Sequence, residues 1–234
     1  MNSVVKAHAR YTGADADGEL RYSDWSNMLT LNEPVNFNAS SWARDTLAEA
    51  DAQGLIPDCL RDANLREPIT RAEFAAVSVK LFEALTTLKA EPAAVNPFTD
   101  TDDPEVLKAY NVGITNGTSA TTFKPDALIS RQEAASMLTR VWKKVNLSGW
   151  TLDTDGQFKE AFRACFTMPE PFADDGEISG WAKDSVYFMA AKGIVQGVGN
   201  NIFAPKTVES GEKTLYYVTR QEALVMSVRT VENP

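Results

Sequence analysis

One short pattern occurs three times in this chain and constrains its fold more than any other feature. Each copy reads hydroxyl residue, arginine, any residue, glutamate, and stands at residues 70–73, 130–133 and 219–222. In such a pattern the hydroxyl accepts a hydrogen bond from the backbone N–H three residues later, and the glutamate accepts one from the N–H of the hydroxyl residue. The sequence therefore predicts three capping boxes and three helix starts.

Apolar residues follow each box at helical spacing. In the first copy they include Phe74, Val77 and Leu81, and this spacing predicts a helix that buries one face. A helix of this kind cannot bury its apolar face alone, so we expect the copies to pack against one another.

A second pattern precedes two of the boxes. Trp42 and Trp181 each begin a sequence of tryptophan, alanine, a basic residue and aspartate, with Ser40 or Ser179 as the expected N-cap. In all three copies a glycine then stands where a left-handed C-cap should end the upstream helix. These glycines are Gly54, Gly113 and Gly193. Each copy is therefore predicted to contain helix, glycine stop, loop, capping box and helix.

Three further parallels join the second and third copies. They share Gly-Ile-x-x-Gly at 113–117 and 193–197, Phe-x-Pro at 123–125 and 203–205, and Phe-x-Asp at 98–100 and 172–174. Together with the boxes and tryptophans, this ordered set resembles the S-layer homology repeat over about residues 37 to 231. The resemblance implies a mostly α fold in which three tandem helix-loop-helix repeats form a three-pronged pseudo-trimer.

The repeat pattern also divides the chain. Residues 1–30 are expected to be an unstructured N-terminal tail or a linker from a preceding region, and residues 147–171 an irregular insert that packs along the body. The repeats themselves are placed at 31–90, 95–146 and 172–234, and the first is the most degenerate. It lacks Phe-x-Asp and Phe-x-Pro, and the second has lost the tryptophan, so we do not expect three equivalent grooves.

The resemblance implies a non-catalytic module that anchors a secreted protein to the cell wall. Its ligand would be secondary cell-wall polysaccharide, with acidic and pyruvylated sugars, held in grooves between repeats. The arginines match the family residue that meets the acidic sugar, and a planar guanidinium suits a carboxylate. The positions that match the family's ligand contacts are Arg71, Arg131, Arg220, Asp100, Asp174, Trp42, Trp181, Gly117 and Gly197.

Each residue type also has a structural interpretation. The arginines could pair with acidic neighbours on an adjacent repeat, and the tryptophans could fill the core instead of stacking on a sugar. The aspartates could hold a turn instead of accepting sugar hydroxyls. Basic residues recur at one further position of each second helix, and we expect them to be solvated. They are Lys80, Arg140 and Arg229.

Several classes of function are disfavoured by composition. The formal net charge of -9 argues against nucleic-acid binding. No run of about 18 apolar residues exists, so membrane insertion is not expected. The N-terminal residues are too polar for a signal peptide, so we expect a piece of a longer extracellular protein of the bacterial surface.

Catalysis, cofactors and metals are not expected either. The single histidine, His8, offers no plausible centre for acid-base chemistry. The acidic residues at 15–19 do not match the spacing of an EF-hand. Cys59 and Cys165 are interpreted as two buried thiols, with a single disulfide as the alternative.

An alternative function remains open at this point. The repeats could instead form a structural module that contacts other proteins, or copies of itself in a surface lattice, with inactive grooves. The expected partners are thus secondary cell-wall polysaccharide or a peptidoglycan-linked glycan, with self-association in a surface layer as the further candidate.

Overall fold

The computed structural model describes residues 37–206 and 217–233 in full, together with the backbone of four short strands nearer the N-terminus. The chain forms two compact units, Met1–Asn36 and Phe37–Pro234. His8, the acidic residues at 15–19 and residues 207–216 lie outside the described residues.

The first unit contains strands where we expected an unstructured tail. Strand β1 pairs antiparallel with β4, and β2 pairs antiparallel with β3. The strands are β1 Val5–Ala7, β2 Thr12–Ala14, β3 Leu20–Tyr22 and β4 Leu29–Leu31. Each strand has only three residues, which is too short for an alternating pattern to be recognised in the sequence.

The second unit is helical. Its α-helices in the described part are α1 Arg44–Ala52, α2 Arg71–Thr86, α3 Pro104–Val112, α4 Arg131–Asn146, α5 Lys159–Arg163, α6 Lys183–Ala191 and α7 Arg220–Glu232. A short 3-10 turn at Ser41–Ala43 leads into α1. The mostly α fold predicted from the repeats is confirmed, and none of the described helices is long and apolar enough to cross a membrane.

All three capping boxes are present. In the first, the N–H of Glu73 donates to Thr70 Oγ1 at 3.2 Å, and the N–H of Thr70 donates to Glu73 Oε2 at 2.9 Å. The same reciprocal pair of bonds begins α4 and α7. The predicted glycine stops are also confirmed, since Gly54, Gly113 and Gly193 all have positive φ.

The long helices α2, α4 and α7 contact one another pairwise. Isolated backbone bridges join the segments that lead into the three boxes. They pair Pro68 with Thr219, Thr70 with Leu128, and Ser130 with Tyr217. Each copy therefore contacts both of the others, and the three boxes meet around a common centre.

Ser40 and Ser179 do not cap the upstream helices as predicted. The Ser40 N–H donates to Gln221 Oε1 at 2.9 Å, and Gln221 Nε2 donates to Ser40 Oγ at 3.1 Å. The Ser179 N–H likewise donates to Gln132 Oε1 at 3.0 Å. Neither serine side chain caps its helix, and each serine is bonded instead by a glutamine from the capping box of another copy.

The insert at 147–171 is folded against the second and third copies. It contains a 3-10 turn at Asp155–Phe158 and the short helix α5. Phe162 on α5 is buried, with its ring centroid 6.1 Å from that of Trp142 on α4 and 5.0 Å from that of Phe188 on α6. The insert is thereby fixed to the two helices on which it lies.

The prediction that the two cysteines are unpaired thiols is confirmed, and the prediction that they are buried was wrong. Both Cys59 and Cys165 are free, so they form no disulfide, and both are exposed. Cys59 lies in a short 3-10 turn, Asp58–Leu60, whose buried residue is Leu60, while Cys165 lies two residues beyond the end of α5.

Candidate functional site: two equivalent grooves between copies

Two grooves lie where the copies meet, and their walls correspond residue for residue. Groove A has a volume of about 450 Å³ and groove B about 380 Å³. The walls of groove A include Trp42, Arg131, Gln196, Gly197, Glu222 and Arg229. The walls of groove B include Trp181, Arg71, Asn116, Gly117, Glu133 and Arg140. Each groove combines one copy's box arginine, the next copy's glycine turn, box glutamate and second helix, and the remaining copy's tryptophan.

The grooves bring together six of the nine residues that the sequence predicted. Groove A contains Trp42, Arg131 and Gly197, and groove B contains Trp181, Arg71 and Gly117. The other three do not line either groove. They are Arg220, Asp100 and Asp174.

Arg71 is held firmly at one wall of groove B. Only 7% of the residue is exposed. Its Nε donates to the Phe123 carbonyl at 3.1 Å and its Nη1 to Glu133 Oε1 at 2.9 Å, while its guanidinium lies 5.1 Å from the centroid of the Phe123 ring. Burial lowers the pKa of Arg71, against the charge of Glu133. The box arginine of the first copy is thus fixed by residues of the second.

Arg131 occupies the same place in groove A without an ion pair. Its Nε donates to the Phe203 carbonyl at 2.8 Å and its Nη2 to the Gln196 carbonyl at 2.6 Å. Within the described part of the chain, no carboxylate oxygen lies within 4.0 Å of its guanidinium. Burial lowers its pKa, while the charges of Glu222 and Asp174 act in the opposite direction. A partly desolvated cation of this kind interacts strongly with an entering anion.

Arg220 is engaged in the third junction. It donates through Nε and Nη2 to Glu73, with a shortest distance of 2.8 Å, and through Nη1 to the Asn64 carbonyl at 3.2 Å. Arg220 therefore fits the alternative interpretation of the box arginine, in which it pairs with an acidic neighbour on an adjacent copy.

The third junction has a smaller pocket of different character, which we name pocket C. Its volume is about 180 Å³, and its walls hold Asp58, Glu73, Lys80, Asp103 and Glu105 but not Arg220. Asp103 caps α3 in the copy that has lost its tryptophan. Among the described residues, no arginine and no tryptophan lines pocket C, so it lacks the groups that grooves A and B would offer to an acidic sugar.

The tryptophans lie at the surface. Trp42 is 57% exposed and Trp181 is 60% exposed, so the interpretation that they fill the core was wrong. Trp42 lies in a 3-10 turn and Trp181 in a turn just before the helix, and the buried residues at these helix starts are Ala43 and Ala182. An exposed indole beside a polar groove is a suitable stacking surface for a sugar ring.

The glycines are required by the backbone around them. A Cβ on Gly117 would lie 2.6 Å from the Thr122 carbonyl oxygen, and one on Gly197 would lie 2.8 Å from that of Ile202. Gly117 also has a φ of +80°. Both glycines therefore let the turn fold closely, which shapes the groove wall.

The aspartates hold the Phe-x-Pro segments. Asp100 accepts hydrogen bonds from the N–H groups of Phe123 and Lys124, the shortest at 2.8 Å. Asp174 does the same for Phe203 and Ala204, at 2.8 and 2.7 Å. The residue between phenylalanine and proline has positive φ in both copies, and the two bonds stabilise that turn.

Two of the three basic residues that recur in the second helix of each copy line the grooves, although we expected them to be solvated. Arg140 and Arg229 are half-buried and line grooves B and A, where they donate to the carbonyls of Ile114 at 3.2 Å and Ile194 at 3.4 Å. Burial lowers the pKa of Arg140. Their recurrence at one helical position was the signal. We interpreted it as a solvated face because the loops that cover them are distant in sequence.

The comparison with known families agrees with this geometry. The S-layer homology domain matches residues 97–135 and 171–208, which contain both glycine turns and both Phe-x-Asp segments. The chain carries S-layer homology domains. The first copy, at 31–90, lies outside the matched residues and rests on the sequence and structural parallels alone.

The relatives that this chain matches include proteins named as enzymes and proteins named as surface proteins. Exoglucanase XynX of Acetivibrio thermocellus is 28% identical over 202 residues, 80% of this chain and 17% of the relative. Amylopullulanase of Thermoanaerobacterium thermosulfurigenes is 30% identical over 210 residues, which are 84% of this chain and 10% of the relative. Surface-layer 125 kDa protein of Lysinibacillus sphaericus is 28% identical over 231 residues, which are 96% of this chain and 17% of the relative.

The chain thus spans 17% or less of the length of these relatives. Two of the three are named as enzymes and one as a surface-layer protein, while the family matched here is the S-layer homology domain. These matches support a role in cell-wall anchoring at the cell surface.

Proposed function

We propose that this chain is a non-catalytic module that anchors the protein containing it to the bacterial cell wall. It binds an acidic secondary cell-wall polysaccharide, with pyruvylated sugars as the expected acidic residues, in grooves A and B. The observation that carries the proposal is the convergence, in both grooves, of two arginines and an exposed tryptophan contributed by different copies.

The chemistry of the grooves suits such a ligand. Each groove presents the planar donors of two arginines to a carboxylate. These are Arg131 and Arg229 in groove A, and Arg71 and Arg140 in groove B. The indole at each groove offers an apolar face to a sugar ring, while the carbonyl and amide groups of the glycine turn can bind hydroxyls. Pocket C lacks both features, so two of the three junctions are proposed to bind.

The experiment is a pull-down with purified sacculi, before and after mild acid removal of the secondary polymer. The double variant Arg140→Ala with Arg229→Ala is expected to bind at least tenfold more weakly, because each groove loses a charge-assisted contact. Among the described residues, each of these arginines makes one side-chain hydrogen bond, to a carbonyl oxygen, so helical content should be unchanged in circular dichroism.

The matched control is Lys80→Ala, which removes the corresponding charge from pocket C and should leave binding unaltered. Unchanged affinity in the double variant would refute the assignment of the grooves. Binding that survives removal of the polymer would instead favour peptidoglycan or a protein partner, as in the surface-lattice alternative.

A further inference from the structure

A second cavity adjoins groove B, and we name it the insert pocket. Its volume is about 210 Å³, and it shares Ser136, Arg140 and Trp181 with groove B. Its other walls include Lys159 of α5 and Asp184 of α6. Because three side chains line both spaces, a ligand in groove B meets the mouth of the insert pocket directly.

The insert pocket has an excess of positive charge. Its two carboxylates are paired, since Asp155 accepts from Lys143 at 2.7 Å and Asp184 accepts from Arg163 at 2.8 Å. In the part of the chain that the structure describes, Arg140 and Lys159 have no carboxylate within 4.0 Å. The pocket therefore offers two cations to a bound anion.

The walls of the insert pocket are held in place by the insert's own packing. Trp150 is buried, and its Nε1 donates to Asp155 Oδ1 at 2.7 Å. Lys143 Nζ lies 4.1 Å from the centroid of the Phe162 ring. A wall fixed by buried aromatic residues needs little reordering to accept a ligand.

Groove A has no contribution from this segment, since none of its lining residues comes from residues 147–171. The insert also lies between the two segments that match the S-layer homology domain. The added pocket therefore makes two otherwise equivalent grooves different, through a segment outside the matched repeats.

We infer that groove B and the insert pocket form one extended site that binds two consecutive sugar residues of the wall polymer. One residue occupies groove B, and the next places an anionic substituent against Arg140 and Lys159, with the Trp181 indole between them. This inference rests on the proposed function, and it adds that groove B distinguishes polymer from a single sugar whereas groove A does not.

The test uses the whole chain with groove A disabled by Trp42→Ala and Arg229→Ala. The probes are fragments released by mild acid from Lysinibacillus sphaericus sacculi, separated into single sugar residues and longer oligosaccharides. In this background Lys159→Ala should weaken binding of oligosaccharides about tenfold in titration calorimetry and leave single-residue binding unchanged. Lys159 is exposed and makes no side-chain hydrogen bond or ion pair with the described residues, so the variant should fold normally.

The matched control is Lys144→Ala, an exposed lysine at the end of α4 that lines neither space. It should change neither affinity. If Lys159→Ala leaves oligosaccharide binding intact, or weakens both probes equally, the extended site is wrong while groove binding stands. If the unaltered chain binds neither probe, the proposed function fails, and the extended site fails with it.

Discussion

The three box arginines have the same sequence context and different environments. Arg71 and Arg220 form ion pairs with the box glutamate of the next copy, at 2.9 and 2.8 Å, whereas Arg131 bonds carbonyl oxygens only. The pattern predicted that all three would lie where copies meet. It could not predict which would pair, because each partner is brought close only by the packing of another copy.

This difference leads to a prediction for Arg220. Its ion pair with Glu73 is largely buried, with side-chain exposures of 18% and 19%. Replacement of Arg220 by alanine leaves Glu73 without its partner and should lower the free energy of unfolding by about 2 kcal/mol. Urea titration followed by circular dichroism measures the loss.

Wall-polymer affinity should stay unchanged in Arg220→Ala under conditions where the variant is folded, because Arg220 lines neither groove. Arg220→Lys should restore part of the stability, since a lysine keeps the charge but not the paired donors. A stable variant with weak polymer binding would show that Arg220 contacts ligand instead.

At the scale of the elements, the helix starts and stops could be predicted because their signals are local. Each capping box satisfies backbone groups within one turn, and each glycine stop needs only a positive φ. The role of Ser40 and Ser179 could not be predicted in this way. Their partners Gln221 and Gln132 lie in other copies, so the cap expected from local sequence is replaced by a contact between elements.

The hydrogen bonds that Gln132 and Gln221 make to serines of other copies lead to a prediction for the free energy of unfolding. Gln132→Ala and Gln221→Ala should each lower the free energy of unfolding by about 1 kcal/mol, because a partly buried serine N–H loses its acceptor. Thermal or urea unfolding of the single variants measures the effect.

The first box has Ala72 at the corresponding position, and the second copy lacks the serine and tryptophan that it would meet. Ala72→Gln is therefore the control, and it should give no gain in stability. A gain equal to the losses above would mean that glutamine stabilises the helix start itself and not the contact between copies.

At the scale of the whole molecule, the unequal copies produce unequal junctions. Two junctions form grooves with arginine and tryptophan, and the third forms the acidic pocket C. The sequence predicted that the three grooves would not be equivalent, from the degenerate first copy and the lost tryptophan of the second. It could not predict the insert pocket, because the residues that line it come from the insert, α4 and α6 together.

Two grooves on one body predict avidity for a polymer. Once one groove is bound, the second binds at a high effective concentration, so intact polymer should bind at least tenfold more tightly than short fragments. Trp42→Ala or Trp181→Ala alone should remove most of this gain while fragments still bind the remaining groove. Surface plasmon resonance on immobilised sacculi measures the off-rates. Equal off-rates for the single variants and the unaltered chain would contradict simultaneous use of both grooves.

The cyclic contacts of the three copies have a mechanical consequence. Arg71, Arg131 and Arg220 each reach into the next copy, and the last returns to the first. Tension applied to the first copy therefore acts on its contacts with both other copies at once. For a module proposed to hold a surface protein in place, we expect rupture under load to be a single cooperative event, with no stepwise loss of one copy after another.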